Sequence, residues 1–471
     1  MIRESKNSEW GLIETHSQVG PPLPDFPAVR RSPSTPGFNA LRWRFACLTA
    51  LATLGLLGAG GLVTSHGAGL AVPDWPNTYG YNLFFFPVSQ WMGGIFYEHT
   101  HRLLAAAVGL MTSVLALWLY GRRARRLMRW LGAGAVMMAV GAGLARPRRW
   151  SDAVVLGLAG LALWGGSRVW PRCEPAARWL RRMGLWAFLA VVLQGVLGGL
   201  RVVLLRDQLG IFHALLAQLF FVLVCAIALC SSRWWQELRA GGAWVSGGEG
   251  HGRDARATGW FAAGTLLIVA QLLLGATMRH QHAGLAIPDF PLAYGKLWPP
   301  MDAASVALYN QHRLEVVAMN PITGFQIGLQ MAHRITALLI LGVVAYGAWL
   351  TRGRGEAWSM AGKLALCWLV LIVGQAGLGA ATIWTDKAAD VATAHVLVGA
   401  LSLALGAMLW LAQARGEVSA AVAERVGGRE GVEKAERLGG KDVAAPGDRR
   451  AALPALGGYL SRHSTLDTGS C

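Results

Sequence analysis

Long apolar runs separated by short polar stretches dominate this chain. Eight of them are long enough to cross a bilayer, which takes about 20 residues of helix. They lie near residues 43–65, 102–120, 182–204, 211–231, 259–278, 334–351, 361–384 and 391–413. Two weaker runs lie near 131–145 and 152–170, with Arg146, Arg148 and Arg149 between them. The pattern predicts an all-α polytopic membrane protein.

Basic residues set the orientation of these helices. The stretch from His66 to His101 has no lysine or arginine, whereas Gly121 to Trp130 has five arginines. Because basic loops stay on the cytoplasmic side, the first stretch is expected outside and the second inside. Alternating from there puts both termini inside. The weak pair 131–170 must then cross twice, as a hairpin, or lie at the interface without crossing; the sequence leaves both open.

Composition supports the membrane reading. The chain is 54% hydrophobic and only 15% charged, with 60 glycines, and glycine is frequent in transmembrane helices. The net charge of +17 comes largely from arginines in the short inside loops, so it indicates topology and not a nucleic-acid partner. None of the six cysteines forms a Cys-x-x-Cys pair, so zinc and iron–sulfur sites are not expected.

The chain ends differ from the apolar middle. The first 40 residues are polar, rich in proline and serine, and carry several acidic residues, which argues against a cleaved signal or transit peptide. We expect a bacterial inner-membrane protein with this organisation: a disordered cytoplasmic arm 1–42, an N-terminal bundle 43–232 containing the insert 131–170, a cytoplasmic linker 233–257, a C-terminal bundle 258–413, and a disordered tail 414–471.

The two halves of the chain repeat one another. Ala68–Pro76 (AGLAVPDWP) recurs as Ala283–Pro291 (AGLAIPDFP), and Gln194–Gly198 recurs as Gln375–Gly379. Since both halves start inside, the repeat is parallel. It predicts two pseudo-symmetric four-helix transmembrane bundles side by side, and bundles of this kind build cofactor sites from side chains on facing helices.

Four histidines fall at the outer ends of four different spans, one pair in each half: His101 with His213, and His333 with His395. An ionisable side chain inside a span usually marks a function. Two imidazoles from two helices suit the two axial positions of a haem iron, whereas zinc needs three or four protein ligands. The bland alternative is a histidine that hydrogen-bonds a neighbouring helix.

Three further residues accompany the histidines. Arg102 and Arg334 directly follow theirs, and they suit either haem propionates or lipid headgroups. Glu98 lies three residues before His101, on the same helix face, while its counterpart is Gln330. An acid near only one pair makes Glu98 a candidate catalytic residue; a carboxylate stabilised by the helix dipole is the alternative.

These motifs together resemble the haem A synthase family. The resemblance rests on Glu98-x-x-His101-Arg102, the Gly-Leu-Ala-x-Pro-Asp-Trp-Pro loop, the Gln194-x-x-x-Gly198-Gly199 helix and the four outer histidines. It covers about residues 43–413, with 131–170 as an insertion. The first outside loop lacks the cysteine pair that some bacterial members carry, which places this chain with the cysteine-free type.

The resemblance implies an enzyme that oxidises the C8 methyl group of haem O to the formyl group of haem A. It assigns the substrate haem to His101 and His213, a resident haem b to His333 and His395, and a functional role to Glu98. It also implies haem O synthase, cytochrome c oxidase assembly factors and an unidentified electron donor as partners. Homo-oligomerisation stays open.

Two other functions use the same histidines. A membrane cytochrome with two b haems would relay electrons without oxidising a methyl group, and it would need neither Glu98 nor haem O. A transporter of haem or another solute would be built on a parallel repeat as well. That function predicts helix breaks near the bilayer midplane, whereas the prolines here cluster in loops.

Overall fold

A computed structural model describes residues 38–145, 150–239, 251–312, 321–352 and 360–439, leaving aside the side chains of 207, 251–255 and 419–439. The helices are α1 (Ala40–Ser65), α2 (Gly93–Tyr120), α3 (Ala124–Ala145), α4 (Trp150–Val169), α5 (Arg178–Leu204), α6 (Asp207–Ser231), α7 (Arg233–Arg239), α8 (His251–His280), α9 (Ala303–Gln311), α10 (Gly324–Leu350), α11 (Met360–Trp384) and α12 (Ala389–Gly439). Over these residues there is no β-strand, only two isolated bridges. The all-α prediction is confirmed.

The helices have the length and composition of membrane spans. Within the described ranges, nine helical stretches are long and apolar enough to cross a bilayer, which confirms the multi-pass prediction. The longest, Gly93–Ala145, has 53 residues and contains both α2 and α3. Gly121 divides it, because its φ of 55° is a left-handed conformation that favours glycine.

Local hydrogen bonds satisfy polar groups at the ends and in the interior of these helices. The Asn39 side chain caps α1 by accepting from the Arg42 backbone N–H, and Thr323 with Gln326 forms a capping box at the start of α10. Inside the spans, the hydroxyls of Thr49, Thr53 and Thr112 donate to carbonyls one turn earlier. These three hydroxyls are thereby satisfied within their own helices, which suits a bilayer environment.

The spanning helices pack in two rings of four. In the first ring α1 contacts α2 and α6, and α5 contacts the same two helices. In the second ring α8 contacts α10 and α12, and α11 contacts the same two. Helices α1 and α6 also pack against α8 and α12. Consequently α2 lies diagonally opposite α6, and α10 diagonally opposite α12.

The insert is an antiparallel hairpin of α3 and α4. At one end Arg125 donates to the carbonyls of Ser167 and Arg168, and at the other Asn82 donates to the Asp152 carboxylate at 2.9 Å. Asn82 belongs to the loop between α1 and α2, so the hairpin reaches from the start of α3 to the loop that precedes α2. With about 1.5 Å of rise per residue, α3 is about 33 Å long. This geometry agrees with the hairpin alternative.

The predicted linker and tail are partly helical. The linker 233–257 contains α7 and the start of α8, and the tail predicted from 414 begins inside α12, which continues to Gly439. The alanines, glutamates and arginines of 414–439 are residues with high helix propensity, so the helix continues past the apolar run. The remaining parts of the predicted arm, linker and tail (1–37, 240–250 and 440–471) lie outside the described residues.

Candidate functional site

The four histidines lie at one end of the molecule, here called the loop end. It carries the first loop (residues 66–92) and the second loop (residues 281–323, described up to 312 and from 321). His101 is in α2 and His213 in α6, which are diagonal in the first ring; His333 in α10 and His395 in α12 are diagonal in the second. His101 and His213 are close enough for their side chains to interact electrostatically, and so are His333 and His395.

Each histidine ring packs edge-on against a glycine of a neighbouring helix. A Cβ at Gly60 or Gly198 would lie 3.1 Å from Cε1 of His101 or His213 respectively. In the second ring, the corresponding distance is 3.3 Å for Gly275 with His333 and for Gly379 with His395. A Cβ this close would push the ring away by a few tenths of an ångström, so the glycines let the Cε1–Nδ1 edge of each ring lie against a helix backbone.

The glycine contacts determine which ring nitrogen remains available. Nδ1 of all four histidines is fully buried without a hydrogen-bond partner, yet each residue as a whole is half-buried. Among the described residues, nothing hydrogen-bonds Nε2 of His101, His213 or His333, while Nε2 of His395 lies 3.3 Å from Nε2 of Gln375. The accessible part of each ring is therefore its Nε2 side.

Three of the four histidines share a further contact. Gln194 donates to the backbone carbonyl of His213, Gln271 to that of His333 and Gln375 to that of His395, each at 2.9 Å. Each glutamine stands four residues before the glycine that packs on the same histidine, so both lie on one helix face. The sequence pattern is Gln-x-x-x-Gly on α5, α8 and α11. On α1 the corresponding residues are Leu56 and Gly60.

This donor set fits a haem iron. Each ring supplies two imidazoles from diagonal helices, near enough to interact and with Nε2 uncommitted in three of the four. Two nitrogen ligands complete the coordination of a haem iron but not of zinc. The described residues contain no group of three or more His, Cys, Asp or Glu that could hold a metal ion.

The two loops have the same internal structure. The Asp74 carboxylate accepts from the backbone N–H groups of Tyr79 and Gly80, and the Tyr79 hydroxyl donates to the Ala71 carbonyl. In the second loop, Asp289, Tyr294, Gly295 and Ala286 make the same set of bonds. The aspartate and tyrosine of the repeated phrase therefore build the loop itself, which is why those residue types recur.

Glu98 and Gln330 occupy equivalent positions against these loops. Glu98 is 4% exposed; its carboxylate accepts from the Val72 backbone N–H at 2.8 Å and pairs with Arg102 at 2.7 Å. Gln330, 2% exposed, accepts from the Ile287 backbone N–H at 2.7 Å through its amide oxygen. Both side chains fasten a loop to the helix that carries a histidine, and only Glu98 adds a charge.

Arg102 and Arg334 also bind the loops. Arg102 donates to the carbonyls of Val72, Asp74 and Asn77. Arg334 donates to the carbonyls of Asp289 and Leu292. These bonds turn both guanidinium groups toward loop backbone, and the two roles considered for them from the sequence stay predictions.

A different arginine lies near the first histidine pair. Arg201, at the loop end of α5, packs against Gly69 of the first loop and Gly210 of α6. It is also close enough to His213 and Arg279 to interact with them electrostatically. Lys387 occupies the same place over Gly284 in the second loop. Sequence reasoning missed Arg201, although a lone arginine in the apolar run of α5 was a usable signal.

His99, by contrast, belongs to the packing of the first loop. It is 1% exposed, its Nδ1 lies 3.1 Å from the Thr78 hydroxyl, and its ring packs against Phe86 and Trp91. It therefore faces the loop and does not join the His101–His213 pair.

The fold and the site define a helical multi-pass membrane protein with two histidine pairs of haem-ligand type. The family model described as cytochrome oxidase assembly protein matches residues 147–407, more than half of the chain. The chain belongs to the haem A synthase family of cytochrome oxidase assembly proteins. The matched residues include His213, His333 and His395 and begin after Glu98 and His101.

Curated relatives carry the name haem A synthase. The protein from Methylobacterium radiotolerans is 29% identical over 202 residues, which are 41% of this chain and 51% of the relative. That from Rhizorhabdus wittichii is 30% identical over 246 residues, 51% of this chain and 62% of the relative. That from Methylobacterium nodulans is 29% identical over 144 residues, 30% of this chain and 37% of the relative. The chain therefore spans from about one third to less than two thirds of these relatives.

Proposed function

We propose that the protein is a haem A synthase, which oxidises the C8 methyl group of haem O to the formyl group of haem A. Two successive oxygen-dependent hydroxylations and loss of water would make this change. The observation that carries the proposal is the pair of diagonal, glycine-packed histidine sites in a chain of this family. The bound haems would supply the redox chemistry, and the protein would supply ligands, orientation and a closed pocket.

The proposal divides the work between the rings. His101 and His213 would hold the substrate haem in the first ring, and His333 and His395 a resident haem b in the second. The two rings pack directly on one another through α1, α6, α8 and α12, which keeps the proposed haems within one compact helical unit. Haem O synthase, oxidase assembly factors and an electron donor remain proposed partners, and the bacterial inner membrane the proposed location.

Glu98 would serve the first ring in two ways. Its bonds to Val72 and Arg102 fix the first loop beside His101, so it is a positioning residue by contact. Its buried carboxylate also places a negative charge beside the first site only. The amide of Gln330 makes the equivalent bond to the second loop, so a charge is not needed to hold the loop. The negative charge of Glu98 is therefore the property that the reaction would use.

The proposal is tested by identifying the haem in the protein. The full-length chain is purified from cells that make haem O, and extracted haems are separated by chromatography with mass detection. We expect haem B together with haem O or haem A. Haem B alone, despite available haem O, would instead indicate a di-haem b electron-transfer cytochrome, and absence of any haem would refute both functions.

Glu98→Gln refines this test. Because glutamine can keep the bond to the Val72 N–H, the variant is expected to retain both haems while haem A falls at least tenfold. Gln330→Glu is the matched control, since it adds a charge at the equivalent place in the second ring. Full haem A production by Glu98→Gln would remove any role of the charge in the reaction.

We further propose that Arg201 contacts the carboxylates of the haem in the first ring. It lies three residues, about 4.5 Å of helix rise, toward the loop end from Gly198, which touches His213. We expect Arg201→Gln to weaken binding of haem O by about tenfold, the value of a charge-assisted bond, and to leave binding of the haem O dimethyl ester unchanged. The exposed Arg206 provides the control Arg206→Gln. Equal losses for both porphyrins would contradict this role.

A further inference from the structure

The helix that flanks His101 lacks the hydrogen bond that the other three histidines receive. Gln194, Gln271 and Gln375 each donate to a histidine carbonyl at 2.9 Å from a position four residues before the packing glycine. On α1 the same position is Leu56, which packs against the hydrophobic core and has no amide to donate. The glycine contact itself is present in all four cases.

The missing bond affects how firmly the histidine is held. A glutamine bonded to the histidine carbonyl ties two neighbouring helices together at the turn that carries the ligand. Inside a membrane, such an interhelical hydrogen bond is worth about 0.6 to 1.7 kcal/mol, equivalent to about threefold to eighteenfold in an equilibrium constant. Both ligands of the second ring have the bond, whereas in the first ring His213 has it and His101 does not.

The other contacts near His101 do not replace this bond. Arg102 and Glu98 fasten the first loop to α2, but these contacts involve loop backbone and not α1. Gly60 contributes only a van der Waals contact to the His101 ring. The α1–α2 seam beside His101 is therefore apolar at the point where the other three seams are hydrogen-bonded.

We infer that His101 is the axial ligand built to release, and that Leu56 in place of glutamine is what distinguishes the exchangeable site from the resident one. The inference rests on the proposed function in placing a haem at each histidine pair. A haem that enters and leaves needs a ligand that can detach, whereas a resident haem needs two firm ones. The second ring meets the latter requirement with Gln271 and Gln375.

The test swaps the two residue types between the rings. The haem-loaded full-length protein is reduced and exposed to carbon monoxide, which binds only an iron that has lost a ligand, and binding is followed in the Soret band. In the wild type we expect one of the two haems to bind carbon monoxide. Leu56→Gln should slow that binding by about threefold to eighteenfold, and Gln375→Leu should make the second haem reactive as well.

Leu56→Met is the matched control, because it keeps an apolar side chain of similar volume and should react like the wild type. Equal rates in Leu56→Gln and Leu56→Met, or an unreactive second haem in Gln375→Leu, would overturn the inference. So would a wild type in which both haems or neither haem reacts. If Leu56→Gln does not assemble, Gln375→Leu still decides, since leucine is well tolerated in a membrane span.

The outcome can be separated from that of the proposed function. Extraction identifies the haems, so a protein that holds only haem B would refute methyl oxidation and could still show one reactive and one unreactive site. A protein that makes haem A but reacts equally at both sites would keep the function and remove the role of Leu56.

Discussion

His333→Ala is expected to lower the haem content from about two per chain to about one, with the remaining haem in the first ring. His333 would supply one of the two proposed imidazole ligands of its site, and one imidazole alone would leave the haem half-ligated. The haem-to-protein ratio of the purified variant, measured as pyridine haemochrome, checks this. The proposed division also requires the lost haem to be haem B.

The control for this experiment is His312→Ala, in the second loop. His312 is exposed and its Nδ1 lies beside the Leu308 carbonyl of its own helix, so its removal should leave both haems in place. An unchanged haem ratio in His333→Ala would refute the assignment of His333. Loss of both haems together would show instead that the two sites do not bind independently.

Arg102→Gln is expected to cause the largest loss of stability. The Arg102–Glu98 pair is buried, with side chains 12% and 5% exposed, and Arg102 also binds three loop carbonyls. Removing the arginine leaves the Glu98 carboxylate unpaired in a site that water hardly reaches. Breaking a buried ion pair in this way costs about 3 to 5 kcal/mol. The midpoint of thermal unfolding in detergent should therefore fall clearly below that of the wild type.

Arg334→Gln is the control that this chain provides. Arg334 holds the second loop by two carbonyls, but its neighbour is the neutral Gln330, so no charge is left unpaired and the loss should be smaller. The double variant Glu98→Gln/Arg102→Gln should recover part of the stability, because it removes the stranded charge. Equal losses in Arg102→Gln and Arg334→Gln would contradict an energetic role for the ion pair.

Much of the architecture followed from hydrophobic pattern alone. A helix of about 20 apolar residues is the length a bilayer imposes, so the spans and their order could be predicted. The starts of two helices could not, since α2 and α10 begin at Gly93 and Gly324, before the apolar runs predicted from 102 and 334. The insert could not be decided in that way. Its two runs were short, and only contacts between distant residues, such as Asn82 with Asp152, determine that α3 and α4 form a hairpin.

For the candidate site as well, residues within the spans could be predicted and contacts made by the loops could not. The four histidines could be chosen from sequence because an ionisable residue in a span is rare, and their position at one end follows from helix direction. Glu98 and Arg102 pair one helix turn apart, but the other partners of Glu98, Arg102 and Arg334 could not be predicted, because they lie in loops whose path depends on turns and side-chain bonds. The roles of Gln271 and Leu56 were not predicted. They become visible only when the four helices that flank the histidines are compared at the position four residues before the packing glycine.

Helix α5 is the most lightly surrounded helix of the first ring. Its main contacts with spanning helices are with α2 and α6, and its outer face exposes Trp186, Leu189 and Leu193. On the opposite side, α1 and α6 are covered by the second ring. A molecule that diffuses in the lipid bilayer and approaches the first ring from the side would therefore contact α5 first. The shortest routes into the ring would then lie between α5 and α2 and between α5 and α6.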